Sequence, residues 1–510
     1  MACIAKVLCI FLLALAGCNP QAEKQSGKNK PNVIIIYADD MGYGDVAANN
    51  PESKLKTPNL DRLAREGINF TDAHTSSAVC TPSRYSLLTG RYPWRSWMKY
   101  SVFNGYEGPP LIEINRQILA SVFKNAGYST CIIGKWHLGV EWQTKEPGQK
   151  ADFGTVDYSK PVKHTPKQLG FDYSYILSAS LDFSPYVFIE NNNALGPVDT
   201  VIEASPFPAF WRRAESTKEF RHVDILDHLL DKTIKYIEEN SGKEHPFFLY
   251  FPLTAPHKPL LPHPRFRGTS SASWYGDFIQ QVDWTVGEVL KTLDREGLTN
   301  NTIVLYSSDN GSYMYQFKDA ETDHVDDSTK HGFRAENHKP NWNWRGTKAD
   351  IYEAGHRVPL MIRWPGKLTP GTIDETVCLT DIAATLVDML HLEADPSQME
   401  DSFSMVPLMK GKAFSRKPVI HQSGQGALAI RMGNYKLILC NGSGGREIPR
   451  GKPFTGPYQL YNLANDPYET TDLYETERDL AQMLEKEFFE ITGQDLTEND
   501  VLQLITHLYD

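Results

Sequence analysis

The sequence predicts an α/β fold: a mostly parallel sheet flanked by helices, followed by a smaller C-terminal α+β subdomain. Two observations carry this. Short apolar runs rich in β-branched residues alternate with amphipathic helical segments from Val33 to Ser307, and after about Gly411 the pattern turns to short strands separated by turn residues.

The elements justify this in order. Val33 to Ala38 is a continuous apolar run, as expected of a central strand covered on both faces. Thr57-Pro58 opens a helix, with Thr57 as cap and Pro58 in the first turn; Leu60, Leu63 and Ala64 form its stripe and Gly67 closes it. Ile118, Leu119, Val122 and Phe123 mark a helix that stops at Gly127, before a strand from Tyr128 to Ile133. A longer helix with Ile225, Leu229, Leu230 and Ile237 precedes the strand Pro246 to Phe251. Another, with Val282, Val286, Leu290 and Leu293, ends at Gly297 before the strand Thr302 to Ser307. Leu428 to Leu439, turning at Gly433-Asn434, and Tyr458 to Leu463 read as small antiparallel strands, and Leu480 to Phe489 as a helix.

Four domain-level segments follow: a leader over 1–17, a tether over 18–30, a large α/β unit over 31–411 and the C-terminal subdomain over 412–510. The apolar run Val7 to Ala16 has the length of a signal-peptide core and is too short to cross a bilayer. It ends in Leu15-Ala16-Gly17-Cys18, which resembles a bacterial lipoprotein box with Cys18 as the lipidated residue. This implies an exported protein, lipid-anchored in the cell envelope; the alternative is an ordinary cleaved signal with Cys18 lost. Asn19 to Lys30 is polar and reads as a flexible tether.

Composition excludes some classes. With 510 residues, 41% of them hydrophobic, the chain can bury a large core, and its net charge of −11 argues against a nucleic-acid partner. Seven cysteines, four of them beyond Cys18 at wide irregular spacings, make neither a zinc pattern nor a dense disulfide framework.

Polar residues follow four strands: Asp39 and Asp40; Lys135 and His137; His257; Asp309 and Asn310. In open α/β sheets the ligand crevice lies beyond the carboxyl ends of the strands, so these residues converge on one edge. Three carboxylates and an amide oxygen are hard donors suited to calcium or, second, magnesium. Each pair has an ordinary alternative: Asp39-Asp40 could cap a turn, and Asp309-Asn310-Gly311 could be an Asx turn. Repetition at equivalent strand ends favours a metal-assisted hydrolytic site.

The segment Cys80-Thr81-Pro82-Ser83-Arg84, continuing Ser86-Leu87-Leu88-Thr89-Gly90-Arg91, resembles the signature of type I sulfatases, in which the first cysteine is oxidised to formylglycine. The likeness runs from about Pro31 to Leu473 and includes Gly134 to Gly139, Ala255-Pro256-His257, Ser308 to Gly311 and Arg345 to Lys348. The resemblance implies an alkaline-phosphatase-like fold and a formylglycine-generating maturation enzyme as partner. It also implies a calcium ion held by Asp39, Asp40, Asp309, Asn310 and the modified Cys80. Arg84 would hold the modified side chain, Lys135 and Lys348 would grip sulfate oxygens, His137 would attend the formylglycine diol, and His257 would protonate the leaving alcohol. One hydroxyl of that diol attacks sulfur and the other later re-forms the carbonyl and expels sulfate.

The expected substrate is a sulfated carbohydrate, of glycosaminoglycan, mucin or algal type. Gly268-Thr269-Ser270 and Tyr275-Gly276-Asp277, similar to segments of galactosamine-6-sulfatases and arylsulfatase A, lean toward galactosamine or galactose sulfate. The stretch Arg334 to Trp344, including Asn337 and His338, reads as a sugar-contacting loop over the pocket, or else as a packed surface loop. Asp182 to Tyr186 and Arg212-Arg213 are weaker candidates for the same contact. The rivals are a phosphatase or phosphodiesterase on the same scaffold and a non-catalytic lipoprotein that binds sulfated glycan.

Overall fold

The computed structural model describes residues 30–106, 108–206, 209–314, 333 and 337–493. The leader, Cys18 and most of the tether lie outside the described residues.

Asn32–Asp39 forms β1, all eight residues buried. Its side chains alternate between two cores: Val33, Ile35 and Tyr37 enter one, Ile34, Ile36 and Ala38 the other. A strand covered on both faces needs the continuous apolar run that the sequence carries. Further strands of the main sheet are β2 (Ile68–Phe70), β3 (Ser129–Lys135), β4 (Tyr173–Leu177), β5 (Phe188–Glu190), β6 (Asn193–Ala194), β7 (Phe247–Pro256), β8 (Thr302–Ser308), β9 (Leu360–Arg363) and β10 (Gly371–Ile373). Their spatial order is β10-β2-β9-β8-β1-β7-β3-β4-β5-β6. The five central strands, from β8 to β4, are parallel. β9 on one side and β5 on the other run antiparallel to their neighbours.

Helices cover both faces. On one side α1 (Pro58–Glu66), α4 (Ile225–Asn240) and α5 (Ser273–Arg295) bury Leu60, Leu63, Leu229, Leu230, Val286 and Leu290. On the other, α2 (Cys80–Thr89), α3 (Leu119–Asn125) and α6 (Asp381–Met389) bury Leu87, Leu88, Val122, Phe123, Ile382 and Leu386. Truncating one such leucine to alanine costs about 2–5 kcal/mol.

Thr57 does not cap α1 through its side chain as expected. Its hydroxyl donates to Asp61 Oδ1 and accepts from the Ala47 amide, tying the helix start to the segment after β1.

The C-terminal part holds an antiparallel sheet of β11 (Val419–Gln422), β12 (Leu428–Met432), β13 (Tyr435–Ile438) and β14 (Gln459–Asn462). Helix α7 (Arg478–Thr492) packs on it through Ala481, Leu484 and Phe488, together with Tyr92, Trp94 and Cys378 of the larger unit. Cys80, Cys131, Cys378 and Cys440 are all unpaired and buried. No helix among the described residues is long and apolar enough to cross a membrane.

Candidate active site

Register sets the site. Asp39 pairs with Pro256 across β1 and β7, and Ala38 with Ser308 across β1 and β8, so the residues just beyond these positions emerge at one edge. They are Asp39 and Asp40, His257, and Asp309 and Asn310. On the far side of β7, Gly134 lets β3 run close, since a Cβ there would lie 1.9 Å from the Pro252 carbonyl oxygen. Lys135 follows directly. Asp40 and His137 adopt the left-handed backbone region, φ 66° and 57°, a local cost tolerated where it aims functional side chains.

The signature around Cys80 follows from the geometry of α2. Cys80 is the first residue of the helix, whose leading N–H groups lack intrahelical partners and present a partial positive charge. Pro82 falls where a backbone N–H would have no intrahelical acceptor. Ser83 is the first to make the helical bond, from its N–H to Val79 O, and its hydroxyl meets Tyr37 Oη at 2.9 Å and Thr75 Oγ1 at 2.6 Å. Gly90 ends the helix at φ 66° with its N–H on Ser86 O, and a Cβ there would lie 3.0 Å from Met399 Cβ.

Arg84 is fully buried, and its hydrogen bonds go to groups other than the unmodified Cys80 thiol. It donates from Nε and Nη2 to Asp309 Oδ2 at 3.1 and 2.6 Å and from Nη1 to Lys135 O at 3.2 Å, with Asp39 Oδ1 3.3 Å from Nη2. It thereby braces two carboxylates. Lys135 donates to both oxygens of Asp39 at 2.7 and 2.8 Å. Lys348 donates to Asp40, 2.6 Å to Oδ1 and 2.7 Å to Oδ2, and its ammonium lies 3.4 Å from Cys80 Sγ. Three buried carboxylates thus face three buried cations.

Burial pushes the Cys80 thiol up to about 11, against the pull of Lys135 and Lys348, so the unmodified side chain is a neutral thiol at ordinary pH. Burial also raises the Asp309 carboxyl, opposed by Arg84. His137 and His257 are both held well below the usual histidine range by burial and the neighbouring lysines, and are neutral. His137 Nε2–H donates to Phe103 O at 2.7 Å, and Nδ1 has no hydrogen-bond partner among the described residues. His257 Nδ1–H donates to Lys258 O at 2.6 Å, which turns Nε2 toward Asp40 Oδ2, 3.5 Å away.

The residues fit a divalent cation. Ligand-capable atoms of Asp39, Asp40, Cys80 and His257 lie within 4.8 Å of one another. Asn310 donates its amide N–H groups to Asp40 Oδ1 and Gly311 O, and its own Oδ1 is buried with no hydrogen-bond partner among the described residues. A buried orphan acceptor beside carboxylates suits a hard, oxygen-preferring ion.

Cys80, His137, His257 and Lys348 open on a cleft of about 290 Å³ that Ser180, Asp182, Arg212, Lys258, Gln425 and Arg446 also line. Asp182 and Arg212, weak candidates from the sequence, are therefore in the wall. Asn337 and His338 are not. His338 is buried with Nε2 on Asp45 Oδ1 at 2.7 Å, and Asp45 also takes the Tyr275 hydroxyl. The described part of the aromatic loop supports the strand ends from behind: Asn341 bonds both backbone groups of Ser312, and Trp342 and Trp344 pack on Tyr468. Trp344 lines a separate groove with Arg357 and Arg431. Sequence reasoning missed Ser180, Gln425 and Arg446; the last is held by its N–H on Asp350 Oδ1, across 96 positions of chain, a contact with no local sequence signal.

A parallel-sheet edge carrying three aspartates, an asparagine and a cysteine at a helix start is the arrangement of a sulfuric ester hydrolase. Residues 31–392 match the sulfatase family model and residues 341–494 the model of the N-sulphoglucosamine sulphohydrolase C-terminal region. The chain belongs to the sulfatase family. It is 33% identical to an N-acetylgalactosamine-6-O-sulfatase of Bacteroides thetaiotaomicron over 92% of this chain and 96% of that one. It is 30% identical to the steryl-sulfatase of Rattus norvegicus over 79% of this chain and 74% of that one. A solved structure from work on the metabolism of multiple glycosaminoglycans by Bacteroides thetaiotaomicron superposes with a TM-score of 0.78 at 30% identity, covering 91% of this chain and all of that one. Sulfatases generally use a formylglycine and a divalent metal, and the thiol of Cys80 stands where that aldehyde hydrate would be.

Proposed function

We propose that this sulfatase removes sulfate from galactosamine or galactose units of glycan fragments, using formylglycine at position 80 beside a calcium ion. The observation that carries it is the placement of Cys80 Sγ 3.4 Å from Lys348 Nζ and inside the cluster of Asp39, Asp40 and His257. The donor set supports calcium over magnesium, because carboxylates plus an amide oxygen on separate strand ends suit an ion of flexible coordination. Asp39, Asp40, Asp309 and Asn310 would hold it.

The matured side chain supplies a geminal diol, one hydroxyl to attack sulfur and the other to release sulfate afterwards. The residues around it manage charge and protons. Lys135 and Lys348 bind sulfonyl oxygens as negative charge grows on them. His137 Nδ1 accepts a proton from the diol, its tautomer fixed by Phe103 O. His257, neutral in the resting site with its proton on Nδ1, turns its bare Nε2 toward the reacting atoms; it takes up a proton there from solvent and passes it to the departing alcohol, and the burial that depresses its pKa makes that proton easy to give up. Arg84 keeps Asp39 and Asp309 in place. Losing one charge-stabilising contact costs about 100- to 1,000-fold in rate.

The cleft supports a sugar over a sterol as the alcohol. Asp182, Arg212, Gln425 and Arg446 in its wall suit hydroxyls and charges, and a volume of about 290 Å³ fits one ring at the low end of ligand-pocket sizes. The leader sequence supports export and a lipid anchor at Cys18, and the cysteine signature supports a maturation enzyme as partner. A panel of sulfated galactose, galactosamine and glucosamine derivatives, scored for inorganic sulfate, tests the substrate: galacto-configured 6-sulfates turn over fastest. A higher rate on nitrophenyl phosphate than on nitrophenyl sulfate, or equal rates on gluco- and galacto-sulfates, counts against it.

A further inference from the structure

The inner site is balanced in charge before any cation arrives, since Arg84, Lys135 and Lys348 answer Asp39, Asp40 and Asp309. The outer wall is not. There Arg212, Lys258 and Arg446 face a single carboxylate, that of Asp182. Arg212 is committed to it, 2.9 Å from Asp182 Oδ2 with its guanidinium over the Phe183 ring at 4.3 Å, and its side chain remains 46% exposed. Arg446 is half-buried, and its guanidinium makes no hydrogen bond or ion pair among the described residues. Its backbone is fixed by Asp350, and the adjoining Gly445 packs so closely on Ala349 that a Cβ there would lie 2.3 Å from the Ala349 oxygen. The backbone that carries this guanidinium is therefore fixed, and the side chain lines the same cleft as Lys348 on a chain whose net charge is −11, a local positive field against the global one.

We infer that Arg446, with Arg212, forms a subsite for a second anionic group on the sugar next to the sulfated one, the carboxylate of a uronate or a second sulfate ester. This rests on the sulfatase reading above and deepens it: the preferred substrate is an acidic oligosaccharide. A cleft of about 290 Å³ has room for one ring, so the neighbouring sugar lies toward solvent, and these two lining arginines are both partly exposed. Guanidinium is planar, permanently charged and pairs bidentately with carboxylate or sulfate oxygens.

The test compares kcat/KM for matured enzyme on four substrates: N-acetylgalactosamine 6-sulfate, its disaccharide with a uronate, the same disaccharide with the carboxyl reduced to an alcohol, and a neutral-sugar disaccharide bearing a second sulfate. An anionic disaccharide exceeds the carboxyl-reduced one by about 10- to 100-fold, the value of charge-assisted hydrogen bonds, and the arm that does so identifies the anion. In Arg446→Gln that ratio collapses toward one. Equal rates on anionic and neutral disaccharides, with the monosaccharide fully hydrolysed, overturn the subsite alone, and the wild-type comparison needs no variant to fold. An Arg446→Gln ratio equal to wild type also overturns it. Failure on all four removes the proposed galactosamine 6-sulfate reading and the subsite together.

Discussion

Replacing Lys348 with methionine separates metal binding from turnover. Lys348 occupies both oxygens of Asp40 at 2.6 and 2.7 Å; burial alone would lower its pKa, but the Asp40 charge holds it above the ordinary value. In the metal-free protein it neutralises Asp40; once a divalent ion arrives, it repels that ion. Two unit charges about 4 Å apart interact by about 4 kcal/mol at an effective dielectric of about 20, and the divalent charge doubles this before relaxation and hydration reduce it. Methionine keeps the apolar stem and removes the charge. Metal-free Lys348→Met is therefore destabilised by about 3–5 kcal/mol, because Asp40 is left as an uncompensated buried charge. Its calcium affinity rises at least tenfold, equivalent to about 1.4 kcal/mol. Calorimetric calcium titration and thermal unfolding with and without calcium read both effects, and protein carrying the unmodified thiol suffices. The rate of sulfate release in matured variant falls by about 100- to 1,000-fold. Calcium affinity that is unchanged or weaker would refute the charge balance proposed for the site.

Two further outcomes follow from the scaffold. Gly90→Ala forces a side chain into the left-handed region and to within 3.0–3.2 Å of Met399, Ser402 and Ala383; urea unfolding should show a loss of about 2–4 kcal/mol, and a loss below about 0.5 kcal/mol contradicts the packing account. His356, whose ring lies 4.4 Å from that of His421, is held at about 3 by burial and Lys436. Because its folded pKa lies below the unfolded value of about 6.5, its contribution is present in full above that pH and is lost as pH falls toward 3, by about 1.4 kcal/mol per pH unit. His356→Asn keeps a donor for Thr75 O, the present partner of Nδ1 at 3.0 Å, and flattens the pH dependence of unfolding by that slope; an unaltered slope assigns the acid sensitivity elsewhere.

The strands and the reactive edge were legible because a parallel sheet writes both into contiguous sequence. Val33 to Ala38 must be apolar throughout to be covered on two faces, and the residues that leave its end, Asp39 and Asp40, stand immediately after it. The same holds for Asp309 after β8 and His257 after β7. Contacts made across long stretches of chain were illegible. Nothing near Arg84 in the sequence announces that two of its donors go to Asp309, 225 positions away. His338 reads as a loop residue beside tryptophans, yet a buried carboxylate at Asp45, 293 positions distant, claims it. Arg446 belongs to a subdomain whose small strands give no hint that one of its loops forms a wall of the cleft. Thr57 carries the composition of a cap and spends its hydroxyl on Asp61 instead.

The central claim is that position 80, once oxidised beside a divalent ion, cleaves sulfate esters. The measurement that meets it most directly is inorganic sulfate released from N-acetylgalactosamine 6-sulfate by protein co-expressed with a formylglycine-generating enzyme, with the peptide around Cys80 weighed in the same preparation. The account predicts release in proportion to the fraction of peptide lighter by about 18 daltons, as sulfur gives way to oxygen and two hydrogens are lost in the oxidation to the aldehyde, and none from Cys80→Ala. Release from protein whose Cys80 remains a thiol, or none from fully converted, calcium-loaded protein, contradicts it.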